Sequence, residues 1–159
     1  SDKVLKELLE ELETLDEPTL VVFFGDHLPY LENAYNEAGF VDKDGNYDLE
    51  DQMKLKETPI AVWNNYGKDI NEVGSFSTSF LAPYIVEWAE LKMPTYYSFL
   101  QNFRENMPGY TSIVKSDADG ELYSQTPEPM LELEQQYRIL QYDLLHGNRY
   151  LEELEGKSK

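Results

Sequence analysis

Thr19-Leu20-Val21-Val22-Phe23-Phe24 is an unbroken apolar run rich in β-formers, and Gly25-Asp26-His27-Leu28-Pro29 follows it directly. A run without polar alternation reads as a strand buried on both faces. Upstream, Val4, Leu5, Leu8, Leu9, Leu12 and Leu15 recur at helical spacing with Lys and Glu between them, so residues 2–15 read as an amphipathic helix. Ser1 or Asp2 supplies the N-cap, and Asp16-Glu17-Pro18 ends the helix. A helix feeding a buried strand implies an α/β arrangement, with a parallel or mixed sheet flanked by helices.

Outward from that strand, the pattern predicts short helices over 30–38 and 49–56 and a second strand over 58–63, followed by the polar Asn64-Asn65-Tyr66-Gly67. Residues 74–78 form a loop with three hydroxyl side chains. Helices are predicted over 80–91, with Pro83 near the start, and over 95–106, opened by Pro94-Thr95 and closed by Pro108-Gly109. Residues 110–115 and 121–124 flank Asp119-Gly120, a hairpin signal. The longest helix runs over 129–146 and stops at Gly147, and 148–159 is expected to fray. No repeat or low-complexity linker divides the chain, so all 159 residues are expected to form one domain unit.

Composition narrows the function. Aromatic residues make up 13% of the chain and argue for a packed core, despite 31 acidic against 13 basic residues and a net charge of −18. So acidic a surface repels phosphate backbones and anionic lipid head groups, and excludes nucleic acid as a natural partner. Cysteine is absent, which removes disulfides, thiolate metal sites and a cysteine nucleophile from this chain without fixing its compartment. No apolar run approaches the ~20 residues of a membrane span, and no signal peptide is recognisable.

Chemistry concentrates at Gly25-Asp26-His27. Groups at the carboxyl end of a buried strand face the crevice where α/β folds place ligands. A carboxylate beside an imidazole offers a hard oxygen and a nitrogen donor, which suits Mn²⁺ or Zn²⁺. The bland reading is an Asp cap beside a surface His. His146, the other histidine, sits at a helix end where the dipole accounts for it. Asp42-Lys43-Asp44-Gly45 and Asp117-Ala118-Asp119-Gly120 look like pieces of calcium loops, but their first positions fall on Phe40 and Lys115, so both read as Asp-Gly turns. Ser75, Ser77, Thr78 and Ser79 have no assignable His partner and read as loop or cap hydroxyls. Tyr84, Trp88, Tyr96, Tyr97, Phe99 and Phe103 read as core packing, with a sugar platform as the functional alternative.

The string from Thr19 to Tyr30 resembles the segment that carries the late Asp-His metal pair in the lipoteichoic acid synthase family, phosphoglycerol transferases of the sulfatase and alkaline phosphatase-like superfamily. Thr58 to Asn65 is similar to that family's following strand, Ser77 to Leu91 to a helix common to sulfatases, and Tyr137 to Gly147 to the C-terminal helix. Ser79 or Phe80 stands where the superfamily commonly has Asp.

The resemblance implies the C-terminal portion of an extracellular catalytic domain with an alkaline phosphatase-like fold, beginning just before a central strand. It implies a membrane-anchored bacterial parent in the cell envelope, with the nucleophilic Thr and the remaining metal ligands upstream and no catalytic residue within this chain. Asp26 and His27 would be the metal ligands, with Mn²⁺ favoured over Zn²⁺, Mg²⁺ or Ca²⁺. A phosphatidylglycerol-type lipid would be the donor for the parent enzyme, and this chain alone would be inactive. Its partners would be the N-terminal half of the same domain or, through the face left open, a second copy. The other readings are part of a true sulfatase, with an oxidised Cys or Ser nucleophile upstream, and a non-catalytic acidic binding module at the cell surface.

Overall fold

The apolar run forms β1 (Leu20–Phe24), which pairs antiparallel with β2 (Ile60–Asn64) in the register Leu20↔Asn64 to Phe24↔Ile60. The computed structural model describes residues 2–40 and 46–157. The Gly25 N–H donates to the Pro59 carbonyl at 3.1 Å, carrying the pairing one step beyond the strands. The excursion between them therefore leaves and returns at the same end of the pair. It contains α2 (Glu32–Glu37) and α3 (Leu49–Lys54), the latter capped by Asp48, whose carboxylate accepts the Asp51 N–H at 2.8 Å.

One face of the pair is covered. Leu20, Val22, Ile60 and Val62 pack against Leu81, Tyr84 and Trp88 of α4 (Leu81–Trp88). The other face is not, which corrects the expectation of a strand buried on both sides: Phe23 is 50% exposed and its cross-strand neighbour Ala61 is also exposed. An unalternating run shows that both faces are apolar, but not that both are covered. Every strand pairing among the described residues is antiparallel.

A second cluster centres on Phe103 of α5 (Thr95–Asn106), which is fully buried and stacks on Tyr137 of α6 (Leu131–Leu145) with ring centres 5.0 Å apart. Phe80, Leu100 and Met107 complete it, and Phe76 packs against both clusters. The predicted aromatic stripe is therefore core. Burying each such ring is worth about 1.5–3 kcal/mol relative to exposure. The strands β3 (Gly109–Tyr110), β4 (Lys115–Ser116) and β5 (Leu122–Tyr123) form a small antiparallel sheet beside it.

At the amino end, α1 (Asp2–Leu12) is amphipathic but has no fully buried residue, and Val4 and Leu8 are exposed. Asn65 ties it down. Its carboxamide N–H groups point at the carbonyls of Leu12, Leu15 and Glu17, while its oxygen accepts the Thr19 N–H at 2.7 Å. At the other end, the stretch expected to fray forms α7 (Tyr150–Lys157), because the Asp143 carboxylate on α6 accepts the Leu151 N–H at 3.2 Å. No helix among the described residues is long and apolar enough to cross a membrane.

Candidate functional site

Gly25 opens the site through a close approach. Its carbonyl accepts the Thr58 hydroxyl at 2.7 Å, and a Cβ at Gly25 would lie 3.0 Å from Thr58 Cβ. Glycine is thus favoured here by the close approach of Thr58 rather than by any unusual backbone angle. Thr58 is the partner that sequence reasoning missed. Its signal was its place at the mouth of the second apolar run.

Asp26 and His27 follow with side chains 82% and 77% exposed. Asp26 Oδ1 accepts the His27 backbone N–H at 2.9 Å, which orients the carboxylate. His27 Nδ1 lies 2.9 Å from the Leu28 carbonyl. A carbonyl only accepts, so in the neutral ring Nδ1 carries the proton and Nε2 presents a lone pair. Nε2 lies 3.5 Å from Asp26 Oδ2. Two donors at that separation fit adjacent positions around one cation with bonds of about 2.0–2.2 Å. Among the described residues, no group of three or more His, Cys, Asp or Glu forms around a common point, so the pair stands as two ligands.

The other candidates resolve into structure. His146 is the cap residue of α6, with its N–H donating to the Tyr142 carbonyl at 2.9 Å. Asp117 accepts the N–H groups of Asp119 and Glu121 and the Tyr123 hydroxyl, and these bonds, the Tyr123 one foremost, lower its pKa. The carboxylate closes the β4–β5 turn, with Gly120 at φ +85°. The first acidic turn, Asp42 to Gly45, lies outside the described residues. The Ser75 hydroxyl donates to Glu57, and Ser77 Oγ bridges the N–H and carbonyl of Tyr110, so both serve the fold.

Beside Asp26 a cleft of about 490 Å³ opens between the ends of β1 and β2, the loop before α4 and the β3–β4 sheet. Its lining mixes Phe24, Ile60 and Phe76 with Lys56, Thr78 and Ser79. The volume falls within the range of small-molecule sites, roughly 300–1,000 Å³.

Comparison with known proteins shows what the chain is similar to. The sulfatase family model matches residues 1–108. A protein of Rhizobium meliloti (strain 1021) named "Putative cyclic beta-1,2-glucan modification protein" is 32% identical over 167 residues, covering 99% of this chain and 26% of that protein. Among solved structures, the Streptococcus pyogenes phosphoglycerol transferase GacH in complex with sn-glycerol-1-phosphate matches with a TM-score of 0.65 at 22% identity, over 97% of this chain and 34% of that one. The chain thus spans 26% of the length of the Rhizobium protein and 34% of the streptococcal one.

Proposed function

This chain belongs to the sulfatase family and has part of its α/β fold, and from that premise we propose that it supplies the Asp26-His27 metal-ligand pair of a phosphoglycerol transferase acting on a cell-envelope glycan. One observation supports this reading above the others. The Asp26 carboxylate and the His27 Nε2 lone pair lie 3.5 Å apart at the open end of β1, with the ring tautomer held by the Leu28 carbonyl. The names of the two relatives agree with it, one being a phosphoglycerol transferase and the other a glucan-modification protein.

Asp26 would contribute the anionic ligand and His27 the neutral one. A divalent cation, which members of this family generally use, supplies Lewis acidity toward a phosphoryl oxygen and lowers the pKa of a bound hydroxyl. The Leu28 carbonyl keeps the Nδ1 proton in place and so leaves Nε2 as the donor. On this reading Mn²⁺ is the metal, the nucleophilic hydroxyl and further ligands lie outside these 159 residues, and the donor is a phosphatidylglycerol-type lipid at a bacterial membrane.

The test is Mn²⁺ titration and phosphoglycerol transfer by the protein at its full encoded length, with Asp26→Asn and His27→Ala beside it. Loss of metal binding and a fall in transfer of more than about 100-fold in both variants support the reading. Unchanged transfer in Asp26→Asn would overturn it. Turnover of a sulfate ester in place of the phospholipid would identify a true sulfatase, and neither turnover nor metal binding a surface binding module.

A further inference from the structure

Packing does not fix the exposed Asp26 and His27 side chains, so their placing depends on how the backbone beneath them is held. The strand pair alone stops short of holding it. Thr19 with Asn65 and Gly25 with Pro59 flank the ladder in its own register, and both positions are of the bonded type. The Asn65 N–H donates to the Thr19 carbonyl at 3.2 Å, and the Gly25 N–H to the Pro59 carbonyl at 3.1 Å. At a bonded antiparallel pair each residue also receives the other's N–H. Proline has none, so the bond returning to Gly25 cannot come from Pro59. The Thr58 hydroxyl supplies it, donating to the Gly25 carbonyl at 2.7 Å. The crowding of Gly25 by Thr58 Cβ follows, because a side chain stands where a main-chain donor would.

That carbonyl belongs to the peptide joining Gly25 to Asp26. The unit is planar, so fixing its oxygen fixes the plane from which Asp26 departs, and with it the Asp26 carboxylate that accepts the His27 N–H. A second hydroxyl holds the far end of the loop: Tyr35 of α2, half-buried, donates to the Pro29 carbonyl. The stretch from Asp26 to Pro29 thus runs between two side-chain donors. We propose that Thr58 and Tyr35 are positioning residues for the ligand pair, Thr58 replacing the N–H that Pro59 lacks, and that together they keep Asp26 and His27 at their 3.5 Å spacing in the metal-free protein. The proposal rests on the reading of Asp26 and His27 given under Proposed function. Neither residue touches the cation. They act by ordering the loop beforehand, which removes an entropic cost from binding.

Thr58→Val keeps the branched shape against Gly25 and removes only the donor. In the protein at its full encoded length, held in EDTA, hydrogen exchange at the Asp26, His27 and Leu28 amides should quicken in Thr58→Val and in Tyr35→Phe, while Val22 and Val62 keep their protection. Mn²⁺ affinity, measured by calorimetry, should fall about 10-fold or more in Thr58→Val. It should stay close to the unaltered value in Thr58→Ser. It should recover in Thr58→Val/Pro59→Ala, where an N–H at position 59 restores the returning bond. A lower melting temperature in Thr58→Val with unchanged Mn²⁺ affinity would show a structural role alone and overturn the proposal, as would equal losses of affinity in Thr58→Ser and Thr58→Val. If Thr58→Val does not fold, Tyr35→Phe carries the test, and unchanged exchange and affinity there would overturn it. No Mn²⁺ binding by the unaltered protein would overturn the ligand reading and the positioning role with it. Binding that every variant leaves unchanged would overturn the positioning role alone.

Discussion

The Tyr110 hydroxyl donates to Glu134 Oε1 at 2.6 Å, and that contact joins β3 to the first turn of α6. Arg138, one helical turn further on, donates to the same oxygen at 2.7 Å. Burial pushes the Glu134 pKa up, but the bonds from Tyr110 and Arg138 and the Arg138 charge outweigh it and bring the group from 4.5 down to about 2. The unfolded chain therefore binds the extra proton between these values. The contribution is complete above about pH 4.5 and is lost as pH falls toward 2, with a ceiling on the order of 3 kcal/mol. In Glu134→Gln, urea unfolding across that window should lose this pH dependence, with neutral-pH stability lower by about 1–3 kcal/mol.

Tyr110 has the mirror-image dependence. Burial first, and then the neighbouring Glu134, push its hydroxyl from 10.0 up to about 12. The folded state holds the proton longer, so stability should decline as pH rises above about 10. Unfolding followed by tyrosinate absorbance should show Tyr110→Phe removing part of that alkaline decline.

Asn65 offers a test of α1. Asn65→Ala removes the bonds to Leu12, Leu15, Glu17 and Thr19 together and should cost about 1–3 kcal/mol. Hydrogen exchange should quicken throughout α1 while α5 keeps its protection, because α1 has no fully buried residue to hold it otherwise.

Gly25→Ala would force its new methyl against Thr58, at a cost of about 1–3 kcal/mol in thermal unfolding. Asp26 is the next residue along the chain. Metal affinity should therefore fall further than the stability loss accounts for, and equal losses in both would show that Gly25 matters to packing alone.

Phe103→Ala would empty a fully buried site bounded by Phe80, Tyr110 and Tyr137, and should cost about 3–5 kcal/mol. The Asp26-His27 end should keep its geometry, since α4 covers β1 through a separate cluster.

Local signals were legible. Pro94-Thr95 and Pro108-Gly109 bracket α5, and the helix occupies Thr95–Asn106 as read. The Leu20–Phe24 strand and the Asp26-His27 pair at its end were equally plain. Relations across long loops were not. Nothing near Asn65 signals that it reaches the end of α1 more than forty residues earlier. The covered face of β1 depends on α4, and the cleft brings Thr78 and Ser79 beside the end of β1 from more than fifty residues away. Such pairings are set by how elements stack, and a local window of residue types carries no record of that.

The excursion from Gly25 to Pro59 leaves and rejoins the strand pair at a single end. Residues gained or lost within it would lengthen or shorten the rim of the cleft without shifting the Leu20↔Asn64 register or the α4 face beneath. Natural variation could thus reshape the mouth of the cleft while Asp26 and His27 stay on an unaltered frame. Length differences among homologues should accumulate in this one excursion.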